Sequence, residues 1–156
     1  MGSTNKVGSI YTNENGEYLS NNPTWHTEDS AWKAKQTLQM LRRNSIPSLS
    51  VVEVGCGAGE ILNQLHHKMP AETTFTGYDI SSDAIQLAKE KTKERLSFIH
   101  DDLTQLELEA DLLLMMDVFE HVDDYLGFYE LARAKRIIQF STFHWISLFK
   151  QFLETC

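Results

Sequence analysis

Residues 51–60 have the sequence VVEVGCGAGE, in which a β-branched run enters a turn with glycine at every second position, and this pattern is the main predictor of the fold. Residues 49–54 predict a strand buried on both faces, and residues 60–68 predict a helix directly after it. Glycine at a strand-to-helix turn lets the backbone approach a ligand closely, beside the free N–H groups of the helix. The stretch therefore predicts a Rossmann-type ligand-binding turn.

The rest of the chain alternates between strand and helix patterns around this turn. Helices are predicted at residues 28–44, 82–92 and 123–134, and further strands at 73–78, 96–100, 110–116 and 136–141. Strands that alternate with helices at this spacing form βαβ units with a parallel sheet. The fold class is therefore α/β, a doubly wound, mostly parallel Rossmann-like sheet.

The composition of the chain argues against several classes of partner. The 156 residues suit one domain, and a net charge of -8 argues against a nucleic-acid partner, which requires clustered Lys and Arg. The longest apolar runs are shorter than the roughly 20 residues that span a bilayer, so no membrane partner is expected. Two cysteines suggest no disulfide framework and favour a cytoplasmic location. We expect a polar, flexible segment at residues 1–24 and one domain at 25–156.

An acidic residue accompanies the glycine turn. Asp79 ends the second predicted strand, where a carboxylate can accept hydrogen bonds from both ribose hydroxyls of a nucleoside ligand. The sixth position of the glycine pattern is Glu60, however, where a dinucleotide site has glycine or alanine. A carboxylate there disfavours a pyrophosphate, so an NAD-dependent dehydrogenase is the weaker alternative.

The chain resembles the class I S-adenosylmethionine-dependent methyltransferases from about residue 25 to residue 128, and four segments carry the resemblance. They are EVGCGAG at 53–59, GYDIS at 77–81, HDDL at 100–103 and the strand-four segment at 111–122, which ends in Glu-His-Val. All four stand in the order and spacing typical of that family. The resemblance implies S-adenosyl-L-methionine as cofactor and methyl transfer as the activity.

The resemblance also implies roles for single residues. Gly55, Cys56, Gly57 and Gly59 would line the methionine and ribose of the cofactor, with Glu53 organising the turn. The remaining residues assigned to the cofactor are Asp79 and Ile80 at the ribose, Asp101, Asp102 and Leu103 at the adenine, Met116 and Asp117 at the methionyl end, and Trp25 in an N-terminal cover. Methyl transfer needs mainly alignment of the reactants and exclusion of water, so no catalytic triad is expected.

His121 is the candidate catalytic residue. A general-base role fits if the methyl acceptor must lose a proton, while a structural or substrate-side role is the common alternative. Glu120 and His121 are adjacent and point to different faces, so no metal site is predicted.

The C-terminal region departs from the family. Few residues follow the fifth predicted strand, and the expected sheet is therefore incomplete at the C-terminus. Codons permitted for residues 139–147 can encode, in another frame, a strand-five segment typical of the family, which leads to the hypothesis that the sequence after about Tyr129 is frame-shifted. Exposed aromatic side chains and an unpaired sheet edge would then favour self-association.

The sequence thus predicts a methyltransferase that acts on an unidentified, small-molecule acceptor. The alternative from another class is a non-catalytic module that binds S-adenosylmethionine or S-adenosylhomocysteine, or an inactive, truncated methyltransferase. Detection of turnover separates these two functions.

Overall fold

The structure, a computed structural model, describes residues 27–46, 48–101, 110–116, 118 and 137–140, the last four by their backbone alone. After a 3-10 turn at Thr27–Asp29, the elements in chain order are α1 (Ser30–Arg43), β1 (Ser50–Val54), α2 (Glu60–His66), β2 (Thr74–Asp79), α3 (Ser82–Lys89), β3 (Leu96–His100), β4 (Leu112–Met116) and β5 (Ile137–Phe140). All five predicted strands and the first three predicted helices are present. The polar segment at 1–24 and the helix at 123–134 lie outside the described residues.

The strands form one sheet in the order β3-β2-β1-β4-β5, and every neighbouring pair is parallel. Val54, the last residue of β1, lies opposite Tyr78 of β2 and Met115 of β4. The order confirms the predicted α/β, Rossmann-like sheet. From β1 the chain adds β2 and β3 on one side, and it then returns to add β4 and β5 on the other side of β1. In such sheets ligands bind beyond the carboxyl ends of the strands, where the strand order reverses.

The core lies on both faces of the sheet. On one face, α1, α2 and α3 cover a continuous cluster with Leu62, Phe75 and Leu112 at its centre, each at most 1% exposed. The opposite face carries a second cluster, built from Val52, Val54, Leu113 and Met115. Burial on both faces explains why β1 and β4 are almost uninterrupted apolar runs rather than alternating ones.

Local signals explain most helix boundaries. The Ser81 hydroxyl accepts a hydrogen bond from the Ala84 amide at 3.3 Å and caps α3. Asp29 is the N-cap residue of α1, but its side chain makes no capping bond and pairs with Lys33 at 2.9 Å instead. The helices α2 and α3 end two to three residues earlier than predicted, because turn-type bonds such as Lys68 N–H to the Leu65 carbonyl replace the helical ladder.

At the amino ends of the strands, Asp111 joins β1 to β4. Its Oδ2 accepts hydrogen bonds from the backbone N–H groups of Leu49 and Ser50 at 2.9 and 3.0 Å, and its own N–H donates to Ser50 Oγ. These bonds fix the register of the two central strands. Within the described part of the chain, no helix is long and apolar enough to cross a membrane.

Candidate functional site

The glycine turn leaves the carboxyl end of β1 and enters α2. Gly55, Gly57 and Gly59 have φ values of +67°, +52° and +75°, in the left-handed region that side-chain-bearing residues rarely adopt. The Gly59 N–H donates to the Cys56 carbonyl at 2.9 Å and closes the turn. The alternating glycines of the sequence are therefore required by the backbone path itself.

Asp79, the last residue of β2, binds the turn directly. Its Oδ2 accepts from the Gly57 N–H, and its Oδ1 accepts from the Ser81 N–H, each at 2.8 Å. An ionised carboxylate offers about four lone-pair positions, so each oxygen retains acceptor capacity beyond its backbone bond. Burial raises the pKa of Asp79, and the N–H bonds from Ser81 and Gly57 oppose that rise by stabilising the charged form.

Glu53, on β1 one residue before the strand ends, is fully buried with 0% exposure. Among the described residues neither of its carboxylate oxygens has a hydrogen-bond partner. Burial raises the pKa of Glu53 well above its ordinary value, while the positive charge of Lys33 on α1 acts in the opposite direction. A buried acidic group with unused acceptors is costly, and strongly shifted pKa values cluster at functional sites.

The neighbouring strand ends converge on the same region. A Cβ atom at Gly55 would lie 2.5 Å from Val118 Cγ2, so the Val118 side chain, beyond the end of β4, lies against the turn. On the other side, the Asp101 N–H donates to the Asp79 carbonyl at 3.1 Å, and His100 Nε2 donates to the Ile80 carbonyl at 2.9 Å. The ends of β1, β2, β3 and β4 therefore form one edge around the glycine turn.

Glu60 begins α2 at the position where dinucleotide sites carry a small residue. Its Oε1 accepts a hydrogen bond from Gln64 Nε2 at 2.8 Å, which holds the carboxylate at the start of the helix. This negative charge occupies the positive end of the helix dipole and would repel a phosphate group. The geometry supports the prediction of a ligand without phosphates.

Cys56 is a buried free thiol within the turn. Burial raises the pKa of this thiol, and the nearby charges of Glu53 and Asp79 raise it further. A thiol kept protonated is a poor nucleophile, so Cys56 serves as a small apolar side chain in contact with the β2 backbone.

Several residues named from the sequence fall outside the described residues: Trp25, Asp102, Leu103, Asp117 and His121. Their assigned roles stay predictions. In the described part of the chain, no three His, Cys, Asp or Glu side chains gather closely enough to hold a metal ion.

Sequence reasoning missed three residues that shape the site. Lys33 is buried on α1 beside Glu53, Lys91 donates to the Ala58 carbonyl inside the turn, and the Phe98 ring lies against Gly59 and Gly77. Lys33 falls on the helical stripe of Ala34 and Leu41, so its burial had a signal in the sequence. Lys91 and Phe98 had none, because each reaches the turn only when distant segments of the chain fold against one another.

Comparison with known proteins places this site in a family. The family model of the methyltransferase domain matches residues 51–139, more than half of the chain. The chain is 34% identical over 91 residues to the malonyl-[acyl-carrier protein] O-methyltransferase of Priestia megaterium, a match that covers 56% of this chain and 33% of that protein. It is 30% identical over 83 residues to the mitochondrial ubiquinone biosynthesis O-methyltransferase of Saccharomyces cerevisiae, covering 49% of this chain and 26% of that protein. The chain thus spans a third or less of these curated relatives.

Solved structures share the fold at low sequence identity. The plantazolicin methyltransferase BpumL, crystallised with S-adenosylhomocysteine and a pentazolic desmethylPZN analogue, superposes with a TM-score of 0.68 at 17% identity, covering 87% of this chain and 57% of that one. The magnesium protoporphyrin IX methyltransferase of Synechocystis, with bound S-adenosylmethionine, gives 0.66 at 19% identity, covering 89% and 77%.

The matched segment begins in β1 and ends in β5, so it includes the glycine turn and the strand end that carries Asp79. This match over the central sheet agrees with the fold of the solved structures and with the resemblance carried by the four sequence segments. The chain belongs to the methyltransferase domain family, the class I S-adenosylmethionine-dependent methyltransferases.

Proposed function

We propose that this chain binds S-adenosyl-L-methionine at the carboxyl edge of the sheet and transfers its methyl group to a small-molecule acceptor. The observation that carries the proposal is the Asp79 carboxylate, which is bonded through one oxygen to the Gly57 N–H and through the other to the Ser81 N–H. These bonds hold both oxygens in place and leave each an acceptor position for a ribose hydroxyl. A carboxylate fixed in this way loses little freedom on binding, which favours affinity.

The charges at the edge suit this cofactor. S-adenosylmethionine carries a sulfonium and an ammonium group and no phosphate. Glu53 offers two buried oxygens that lack partners among the described residues, and we assign them to the region of the methionyl ammonium. Glu60 at the start of α2 disfavours a phosphorylated ligand such as NAD.

The remaining assignments extend the site along the strand ends. We place the adenine beside Asp101, Asp102 and Leu103 after β3, and the methionyl end beside Met116 and Asp117 after β4. Trp25 is assigned to a cover over the cofactor in the domain proposed for residues 25–156.

The cofactor supplies an electrophilic methyl group, whose bond to sulfur breaks as the acceptor's lone pair forms the new bond to carbon. The chain's own part is to hold the donor fixed and to exclude water from the line of attack. His121 is the proposed proton acceptor where the nucleophile must lose a proton. Oxygen acceptors are the first class to test, since both curated relatives are O-methyltransferases by name.

The finer assignments rest on the composition. A net charge of -8 supports a small-molecule acceptor over a nucleic acid, and the scarcity of cysteine supports action in the cytoplasm. Self-association through the C-terminal region is proposed from its aromatic side chains, which lie outside the described residues.

Calorimetric titration with S-adenosylhomocysteine tests the binding step, with NADH as the comparison ligand. We expect binding of S-adenosylhomocysteine alone. Asp79→Ala should weaken it at least about tenfold, because hydrogen bonds to a charged acceptor are each worth roughly 1.5–3 kcal/mol. Asp79→Asn, which preserves the shape, should weaken it by a smaller factor.

Glu72→Gln is the matched control, because Glu72 is an exposed acid ahead of β2, at the opposite edge of the sheet. It should bind like the unaltered chain. Equal affinity of Asp79→Ala and Glu72→Gln would contradict the assignment of Asp79. A turnover assay that detects S-adenosylhomocysteine, run with hydroxyl and carboxylate acceptors, then separates an enzyme from a binding module.

A further inference from the structure

Lys91 contacts the glycine turn from a separate part of the chain. Its Nζ donates a hydrogen bond to the Ala58 carbonyl at 2.9 Å, across 33 residues of sequence. The Lys91 backbone N–H donates to the Ala88 carbonyl at 2.9 Å, which holds the residue against the end of α3. The side chain is partly buried and therefore has a defined path to the turn.

This bond completes the fixation of two peptide units in the turn. The Cys56–Gly57 peptide is held at both ends, by the Gly57 N–H to Asp79 Oδ2 bond and by the Cys56 carbonyl, which accepts from Gly59. The Ala58–Gly59 peptide has its N–H bonded to the Cys56 carbonyl, and its carbonyl bonded to Lys91. Asp79 fixes the first unit and Lys91 fixes the second.

The turn needs contacts from outside itself because its glycines do not restrict the backbone. A turn with three residues at positive φ has many accessible conformations, and rotation of a peptide plane next to glycine costs little. Rotation of the Ala58–Gly59 peptide would turn its N–H away from Cys56 and open the turn. A charged donor on the carbonyl opposes that rotation more strongly than a neutral donor would.

We propose that Lys91 is a positioning residue of the cofactor site, which holds the Ala58–Gly59 peptide in the orientation that the closed glycine turn requires. Lys91 itself contacts no cofactor in this assignment. Its consequence for affinity rests on the proposed function, whereas its consequence for the shape of the turn does not.

The neighbouring lysines show that the contact is specific to one position. Lys93 directs its Nζ to Asn63 Oδ1 at 2.7 Å and to His67 Nε2 at 3.1 Å, and neither partner belongs to the glycine turn. Lys89 is exposed in the last turn of α3. Lys89→Met is therefore a matched control for Lys91→Met, with the same change of side chain two residues away.

Residue-resolved amide hydrogen exchange of the full chain tests the effect on the turn without any ligand. In Lys91→Met the Gly59 amide should exchange about fivefold faster or more, as expected from the loss of one charge-assisted bond at a partly exposed position. Amides at the centre of β1 and β4 should keep their rates, since they report global opening. Lys91→Arg, which retains a charged donor, should restore the rate, and Lys89→Met should have no effect.

Titration with S-adenosylhomocysteine gives the second measurement. Lys91→Met should raise the Kd about three- to tenfold, with Lys91→Arg and Lys89→Met within about twofold of the unaltered chain. An unchanged Gly59 exchange rate in Lys91→Met, or an equal rise at every amide, overturns the inference. If the unaltered chain fails to bind S-adenosylhomocysteine, the proposed function fails, and the exchange rates still decide the role of Lys91.

Discussion

At the scale of single residues, the candidate site contains one fully buried acid, Glu53, and one partly buried acid, Asp79. Glu53 and Asp79 lie close enough for the charge on Asp79 to add to the raised pKa of Glu53, for which burial is the main cause. Asp79 has backbone N–H donors to stabilise its charge, whereas the charge of Glu53 is favoured by the positive charge of Lys33 alone among the causes that lower its pKa. Ionisation of Glu53 therefore opposes folding more than ionisation of Asp79 does.

This difference predicts how stability depends on pH. The pKa of Glu53 is raised on folding, so the folded chain holds that proton more tightly than the unfolded chain does. Its contribution to stability is fully present below the ordinary value of 4.5 and is lost as the pH rises through the raised value. Glu53→Gln should flatten the decline in the free energy of unfolding above pH 4.5, measured by urea denaturation in a pH series.

Asp79 contributes a decline of the same sign, so the slope in Glu53→Gln should be smaller but not zero. Glu72→Gln, on the surface, should retain the full slope. Equal slopes for Glu53→Gln and the unaltered chain would show that Glu53 is not the titrating group. Affinity for S-adenosylhomocysteine should change in the opposite direction, rising with pH as Glu53 ionises, because a charged carboxylate binds an ammonium group more strongly than a neutral carboxyl group does.

At the scale of elements, the site depends on how closely β2 and β3 approach the turn. A Cβ atom at Gly77 in β2 would lie 2.7 Å from Phe98 Cδ1 and 2.9 Å from the Cys56 side chain. Phe98 also fills the space beside Gly59, where a Cβ atom would lie 2.5 Å from its ring. The Phe98 ring thus packs against two glycines, one in the strand and one at the start of α2.

Gly77→Ala should destabilise the fold by about 1–3 kcal/mol, because the added methyl group forces Phe98 or Cys56 to move. Urea denaturation of Gly77→Ala, Phe98→Leu and the double variant measures the coupling between the two positions. The double variant should be more stable than the sum of the single effects predicts, since the smaller side chain makes room for the methyl group. If the two substitutions change the free energy of unfolding additively, the methyl group at residue 77 is accommodated by movement of Cys56 and not of Phe98.

At the scale of the whole molecule, the sheet and the site form one cooperative unit, because β1, β2, β3 and β4 each contribute a strand end to it. A ligand that binds only the folded chain stabilises it by mass action, by about 2.7 kcal/mol at one hundred times its Kd. For a domain of this size we expect S-adenosylhomocysteine to raise Tm by roughly 5–10 °C.

Thermal unfolding followed by circular dichroism measures this shift. NADH at the same concentration should leave Tm unchanged, and Asp79→Ala should reduce the shift caused by S-adenosylhomocysteine. A comparable rise in Tm with NADH would contradict the prediction that Glu60 disfavours ligands that carry phosphate groups.

The sequence alone predicted the five strands, the first three helices and the class of ligand. Apolar runs at 49–54 and 110–116 specified buried strands, glycine at every second position specified a turn with positive φ, and Asp79 was recognisable because it ends a strand. These are local properties of a chain, and the parallel sheet followed from the alternation of strands and helices, whereas the strand order β3-β2-β1-β4-β5 came from the structure.

The contacts that hold the glycine turn are visible only in the tertiary structure. The bonds between Asp79 and Gly57 and between Lys91 and Ala58 span 22 and 33 residues, and Glu53 is fully buried within the field of the Lys33 charge on α1. Such contacts depend on which strands become neighbours and on how closely their side chains approach, and no local pattern encodes those distances. The sequence therefore specified which residues could form the site, and the folding of distant segments against one another fixed their positions.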